Sequence, residues 1–210
     1  MFRRRRRDEA KQAEQAVEET MRESGPWDAD EPHPDHERID LGGLRVPQAD
    51  DLDVRLASMG DQHVGVLVLL GDSTLQLQAL AAPKSGGIWS EVRTKVAGQL
   101  KTANEREGVF GPELVGEVES EGETRPIRYL GVDGPRWLLL GVVSGPAAQD
   151  ETIAARFEDY LRDVVVVRGQ EPMAREETIP LRRPNERPQQ EDETPQLDPF
   201  RRGPEISEIR

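Results

Sequence analysis

The apolar residues of this chain are concentrated in its middle, and this uneven distribution limits where a core can form. Six of the nine Phe, Tyr and Trp residues lie within residues 41–170, together with nearly every Val and Leu. Residues 1–40 and 171–210 are rich in charged residues and Pro, and their few apolar residues follow no period. Such segments bury too little surface to offset the entropy lost on ordering. The sequence therefore predicts one folded domain over residues 41–170, between two disordered tails.

Apolar runs within this domain indicate several strands. The candidates are residues 43–46, 52–59, 63–70, 74–81, 113–119, 125–132, 136–143 and 164–167. The run 63–70 is apolar at nearly every position, which is typical of a central strand covered on both faces. Asp133-Gly134 lies between two alternating runs and predicts a hairpin turn.

Two segments have the spacing of amphipathic helices. Apolar residues recur every four positions from Ile88 to Leu100, which predicts a helix over about residues 88–104. A second helix is predicted over residues 150–163, with an apolar stripe that includes Phe157. Many hairpins and few helices favour an α+β fold. We expect a mainly antiparallel sheet of about six strands, with both helices on one face.

Charge and composition exclude several classes of protein. The formal net charge is −13, which argues against wholesale nucleic-acid binding because a phosphate polymer would be repelled. The sequence has no Cys, so it lacks thiolate nucleophiles and Cys-based metal sites. No apolar run approaches the roughly 18 residues that a membrane-spanning helix needs. No nucleophile with a base and no metal-ligand cluster is apparent, so no catalytic residue, cofactor or metal is predicted.

The hairpin segment "GVDGPRW" is the first candidate for a binding site. It concentrates Asp133, Arg136 and Trp137, and an exposed Arg–Trp pair is typical of an interaction hot spot. The alternative is a tight turn in which Trp137 packs in the core and Arg136 pairs with a nearby carboxylate. Sequence alone does not decide which face of the strand Trp137 takes.

The turn "PKSGG" is the second candidate. Lys84, Ser85, Gly86 and Gly87 precede the first predicted helix, where free amide groups and a lysine could hold a phosphate or carboxylate. The spacing does not match a phosphate-binding loop. The alternative is an ordinary strand-to-helix turn in which Gly supplies unusual dihedral angles.

Two further features suggest contacts beyond the domain. The run Arg3–Arg7 could touch anionic lipid or RNA, but a solvated tail that keeps the chain soluble is the favoured interpretation. The β-branched run 164–167 could leave an exposed strand edge that pairs with its copy in a homodimer.

The segments "LGGLRVP", "LQLQALAAPKSGGIWSEVR", "GVDGPRWLLLGVVSGPAA", "VVVVRGQEPM" and "IPLRRP" together resemble the actinobacterial domain-of-unknown-function family DUF3710. The resemblance covers about residues 39–184 and implies a cytoplasmic protein of a Gram-positive, high-GC bacterium. The family has no established activity to carry over. We therefore expect a non-catalytic protein-binding or adaptor module. The alternatives are a sensor or enzyme that binds a small anionic ligand, and a protein tethered to a membrane surface or RNA through Arg3–Arg7.

Overall fold

A seven-stranded antiparallel sheet forms the centre of the domain. The computed structural model describes residues 24–85, 87–120, 122–184 and 186. In spatial order the strands are β4 (Asp53–Met59), β5 (Gln62–Leu70), β6 (Ser73–Ala81), β10 (Trp137–Ser144), β9 (Glu123–Gly134), β8 (Gly111–Ser120) and β7 (Thr102–Gly108). The hairpin-rich order predicted from the sequence is confirmed, and the fold is α+β.

A second, four-stranded sheet packs on the first. Its strands, in spatial order, are β1 (Trp27–Asp28), β11 (Val165–Val166), β3 (Leu44–Pro47) and β2 (Arg38–Asp40). The pair β1–β11 is parallel and the other two pairs are antiparallel. Both Val165 and Val166 are fully buried and have a neighbouring strand on each side. The prediction of an exposed edge at residues 164–167 is therefore wrong, and this strand cannot pair with a second copy.

The two helices cover opposite faces of the large sheet. Helix α1 (Trp89–Ala97) packs on a cluster that includes Leu138 and Leu140, whereas α2 (Glu151–Arg162) packs on a cluster that includes Leu139. Successive side chains of a strand point to opposite faces, and β10 is apolar on both. The expectation of two helices on one face is therefore wrong, because both faces of the central strands need cover.

Helix α1 is shorter than its apolar spacing predicted. It ends at Ala97, and Gly98 donates its backbone N–H to the carbonyl of Thr94. Residues Thr102–Gly108, whose start was assigned to that helix, form the edge strand β7 instead. Its sequence "TANEREG" has no apolar alternation because most of its side chains are exposed. Charged residues on such an edge oppose pairing with other chains.

The packed domain extends beyond residues 41–170 at both ends. Trp27, Ile179 and Leu181 are buried in it, although the sequence assigned them to disordered tails. These apolar residues are isolated in sequence, but they dock onto a core that other segments supply. Residues 1–23 and 187–210 lie outside the described residues, as does the run Arg3–Arg7.

The C-terminal segment adds to the large sheet where two strands separate. The pairing of β5 with β6 extends only as far as Val66 and Leu77. After Leu77, β6 is no longer paired with β5 on that side. There the backbone of residues 177–179 takes over: Ala81 N–H donates to the Glu177 carbonyl at 2.8 Å, and Ile179 N–H donates to the Ala79 carbonyl at 2.9 Å. The sheet thus accepts an extended segment through main-chain hydrogen bonds.

The two tyrosines of the protein provide a test of the core. Burial raises the pKa of both Tyr129 and Tyr160 above the ordinary value of 10.0. We expect the folded protein to show little tyrosinate absorbance at 295 nm near pH 10, whereas the urea-unfolded protein titrates there. Because the folded state holds these protons more tightly, their contribution to stability is complete below pH 10 and is lost as the pH rises further. Equal titration curves for folded and unfolded protein would contradict this packing.

Candidate functional site

Trp137, predicted as a partner contact, lies in the core instead of at the surface. Its side chain is 0% exposed, and its indole Nε1–H donates to Asp28 Oδ2 at 2.5 Å. This bond joins β10 of the large sheet to β1 of the small one. The Trp137 ring is therefore not presented to a partner, and the Arg–Trp pair of the hairpin is divided between surface and interior.

Asp133 of the same hairpin caps helix α1 from a distance of 44 or 45 positions in the sequence. Its Oδ1 accepts hydrogen bonds from the backbone N–H groups of Ile88 at 2.8 Å and Trp89 at 3.2 Å. Gly87 packs so closely on this carboxylate that a Cβ there would lie 2.1 Å from Asp133 Cγ. A carboxylate at a helix N-terminus satisfies free amides and is favoured by the helix dipole.

This cap bears directly on the predicted anion site at "PKSGG". Lys84, Ser85 and Gly87 are exposed in the turn before α1, and Gly86 lies outside the described residues. The two amides that directly follow this turn, those of Ile88 and Trp89, bind the carboxylate of Asp133. The carboxylate of Asp133 therefore lies next to the predicted anion site, and the structure brings the two predicted sites together.

An Asp133→Ala variant tests this long-range cap. We expect it to lower the free energy of unfolding by about 0.5–2 kcal/mol, the usual cost of losing a capping carboxylate. Asp133→Asn should cost less, because the amide oxygen still accepts a hydrogen bond. Urea denaturation followed by circular dichroism measures both. If phosphate then bound the Asp133→Ala variant but not the parent protein, the carboxylate would be shown to fill an anion position.

Arg136 connects the hairpin to a loop on the other sheet. Its backbone has a positive φ of 64°, and its Nη2 donates to the carbonyl of Gly169 at 2.6 Å. Arg136 therefore holds the loop that follows β11. It pairs with a carbonyl group and not with a carboxylate, and its role at this position is to fix one wall of a cleft.

That cleft has a volume of about 610 Å³. Three parts of the protein line it: the β4–β5 turn with the start of β5, the loop after β11, and the C-terminal segment from Met173 to Glu186. Gly42 and Gly43 add a fourth wall. The lining residues of these walls are Gly42, Gly43, Asp61, Gln62, His63, Val167, Arg168, Gly169, Gln170, Glu171, Met173, Ile179, Pro180, Leu181, Arg182 and Glu186.

The cleft combines apolar walls with charged groups of both signs. Ile179 and Leu181 are buried beneath it, and their backbones are fixed by hydrogen bonds to Ala79 and His63. The side chain of Arg182 pairs with Asp40 at 3.0 Å. His63 Nδ1 lies 2.8 Å from the hydroxyl oxygen of Ser58. Apolar walls with a few placed polar groups are typical of ligand sites of this volume.

Sequence reasoning missed this cleft for a physical reason. Its walls come from segments more than one hundred residues apart, and residues 171–186 were assigned to a disordered tail. The usable signal was the pair of apolar residues Ile179 and Leu181, which alternate with their neighbours like a short strand.

A buried ion network is the second polar cluster. Arg128 on β9 and Glu113 on β8 are each 2% exposed, and Glu158 of α2 is 6% exposed. Arg128 donates through Nε to Glu113 Oε2 at 2.9 Å and through Nη2 to Glu158 Oε1 at 2.6 Å. Arg106 on β7 also bonds Glu113, and its Nη1 reaches Glu151 at 2.6 Å. The network fixes α2 on the outer strands of the sheet.

Comparison with known proteins places this sequence in a family. The sequence profile of the family described as "Protein of unknown function (DUF3710)" matches residues 25–190. The chain belongs to this family, as the resemblance of its segments predicted. The matched range also agrees with the extended boundaries of the folded domain. No curated protein matches the sequence.

One solved structure shows a distant likeness. It is the solution structure of cyanobacterial PsbP (CyanoP) from Synechocystis sp. PCC 6803, which is 11% identical. The match covers 62% of this chain and 91% of that chain, with a TM-score of 0.37. Among the helices of the described residues, none is long and apolar enough to span a membrane.

Proposed function

We propose that this protein is a non-catalytic binding module whose cleft holds a segment of a partner protein. The observation that carries the proposal is the position of the cleft beside an extended segment. Residues 177–179 already lie against β6 through main-chain hydrogen bonds, where β5 has moved away. Addition of an extended segment to a sheet is a common mode of peptide recognition.

The lining of the cleft supports a peptide as the occupant. Ile179, Met173 and Leu181 offer apolar contacts, while Arg168 and Glu171 offer charged ones. The volume of about 610 Å³ is sufficient for several side chains. The anion site at "PKSGG" has less support, because the carboxylate of Asp133 lies beside it and already binds the helix amides of Ile88 and Trp89.

Site-specific photo-crosslinking in cells tests the proposal. A photoreactive residue would replace Gln62 or Gln170, which are exposed and line the cleft, or Gln99, which is exposed but lies outside it. We expect the same adduct from both cleft positions and not from Gln99. Mass spectrometry of the adduct should map the crosslink to one segment of one partner.

Two outcomes would overturn this assignment. One is an identical adduct pattern from Gln99, which would mean that contact is not confined to the cleft. The other is no adduct from either cleft position. An adduct with a second copy of this protein would instead show that the protein forms a homodimer, with contact at the cleft and not at β11.

A further inference from the structure

Arg168 is a charged residue of the cleft with one buried donor that is unpaired. Its Nη1 donates to the carbonyl of Glu171 at 3.1 Å. Its Nε is buried and has no hydrogen-bond partner among the described residues. A buried donor without a partner destabilises the folded state, so such a group in a native protein calls for an explanation. Arg168 lines the cleft, and a rotation of its side chain that turns Nε toward the cleft would let a bound group supply the missing acceptor.

The chemistry of guanidinium indicates what that group is. Nε and the adjacent Nη2 form a planar, two-donor edge that matches the two oxygens of a carboxylate. Arg156 of this protein shows the arrangement: its Nε and Nη2 donate to the two oxygens of Asp51 at 2.7 and 2.6 Å. At Arg168 the Nε half of the same edge is unpaired.

We propose that Arg168 binds a carboxylate group of the segment that occupies the cleft. This inference rests on the proposed function and specifies its ligand. The carboxylate can be that of a free C-terminus or of an Asp or Glu side chain, since both offer the same pair of oxygens. Its binding would satisfy Nε of Arg168 and hold the loop after β11, which Arg136 already holds from outside through Gly169.

The other charges of the cleft limit the flanking sequence. Asp61, Glu171 and Glu186 are exposed carboxylates that line the same cleft. A run of acidic residues would be repelled by them, whereas neutral or basic residues would not. The expected ligand therefore carries a single carboxylate among neutral or basic residues.

Nuclear magnetic resonance of the full-length protein tests this inference directly. Acetate is the probe, acetamide is its neutral counterpart, and the Nε–H resonances of arginine are the readout. The resonance of Arg168 is assigned by its loss in Arg168→Lys. We expect acetate, and not acetamide, to shift this resonance saturably. In Arg168→Lys, backbone amides of the cleft should respond to acetate about tenfold more weakly, because lysine lacks the two-donor edge.

Arg183→Lys is the matched control, since Arg183 is an exposed arginine of the C-terminal segment that forms another wall, and it does not itself line the cleft. It should leave the acetate response unchanged.

Two neutral peptides, one with a free C-terminus and one amidated with an internal Glu, then distinguish the source of the carboxylate. If acetate left the Arg168 resonance unshifted, or if acetamide shifted it equally, the carboxylate inference would fail. If inorganic phosphate bound at least tenfold more tightly than acetate, the ligand would be a phosphate and the inference would also fail. The crosslinking result does not depend on acetate, so the proposed function can survive either failure.

Discussion

Arg128→Ala is expected to lower the free energy of unfolding by about 3–5 kcal/mol. The substitution leaves the buried carboxylate of Glu158 without its guanidinium partner, and Glu113 keeps only Arg106. Breaking a buried ion pair from one side is costly because an uncompensated charge remains in the interior. Urea denaturation followed by circular dichroism measures the loss. Arg128→Lys should fall between the parent protein and the alanine variant, because it keeps the charge but loses the planar donor edge.

Arg125 provides the matched control, since it lies on the same strand and its side chain is 57% exposed. It pairs with Glu123 at 3.0 Å, and exposed pairs of this kind contribute about 0–1 kcal/mol. Arg125→Ala should therefore have little effect. A second test combines Arg128→Ala with Glu158→Gln, which removes the carboxylate charge that Arg128→Ala leaves unpaired. The double variant should be more stable than the sum of the single effects predicts. Equal costs for Arg125→Ala and Arg128→Ala would contradict the buried network.

Trp137→Ala is expected to cost about 3–5 kcal/mol, the usual range for removing a large aromatic side chain from a core. Its ring is 0% exposed, and its removal also leaves the buried carboxylate of Asp28 without the indole N–H donor. Trp137→Phe keeps most of the packing and loses the donor, so its cost should be smaller. Thermal and urea denaturation measure both variants.

Met59, which is 75% exposed at the β4–β5 turn, is the control for Trp137. Met59→Ala should change stability by less than about 0.5 kcal/mol. Two further variants separate the roles of the two hairpin residues Arg136 and Trp137. Arg136→Ala tests its contact with the loop at Gly169, whereas any variant of Trp137 tests the core. A Trp137→Ala protein as stable as the parent would show that the ring is not buried as described.

Regular apolar patterns allowed most of the large sheet to be predicted. The runs 63–70 and 136–143 correspond to β5 and β10, within one residue at each end, and residues 150–163 correspond to α2. Elements without a pattern were missed. The edge strand β7 is polar because one edge and much of its surface face solvent, and β1 is only two residues long. Their positions depend on the strands beside them.

The candidate sites were less predictable than the fold. The sequence identified Asp133, Arg136 and Trp137 as a group of interest, but not that they would face three different environments. Asp133 caps α1, Arg136 holds the loop at Gly169, and Trp137 enters the core. Neighbours in a turn or strand point in different directions, and only the surrounding elements decide what each side chain meets.

The sequence by itself determined the α+β class, the family and the strands and helices with strong periodicity, because these depend on local patterns of apolar residues. Tertiary structure alone decided which sheet face each helix covers, how the terminal segments dock, and where the cleft and the ion network lie. Arg168 reaches the cleft, and Arg128 meets Glu113 and Glu158, only after distant segments have packed together. Contacts of this kind depend on the arrangement of whole elements in space, and the local order of residues does not encode them in a readable pattern.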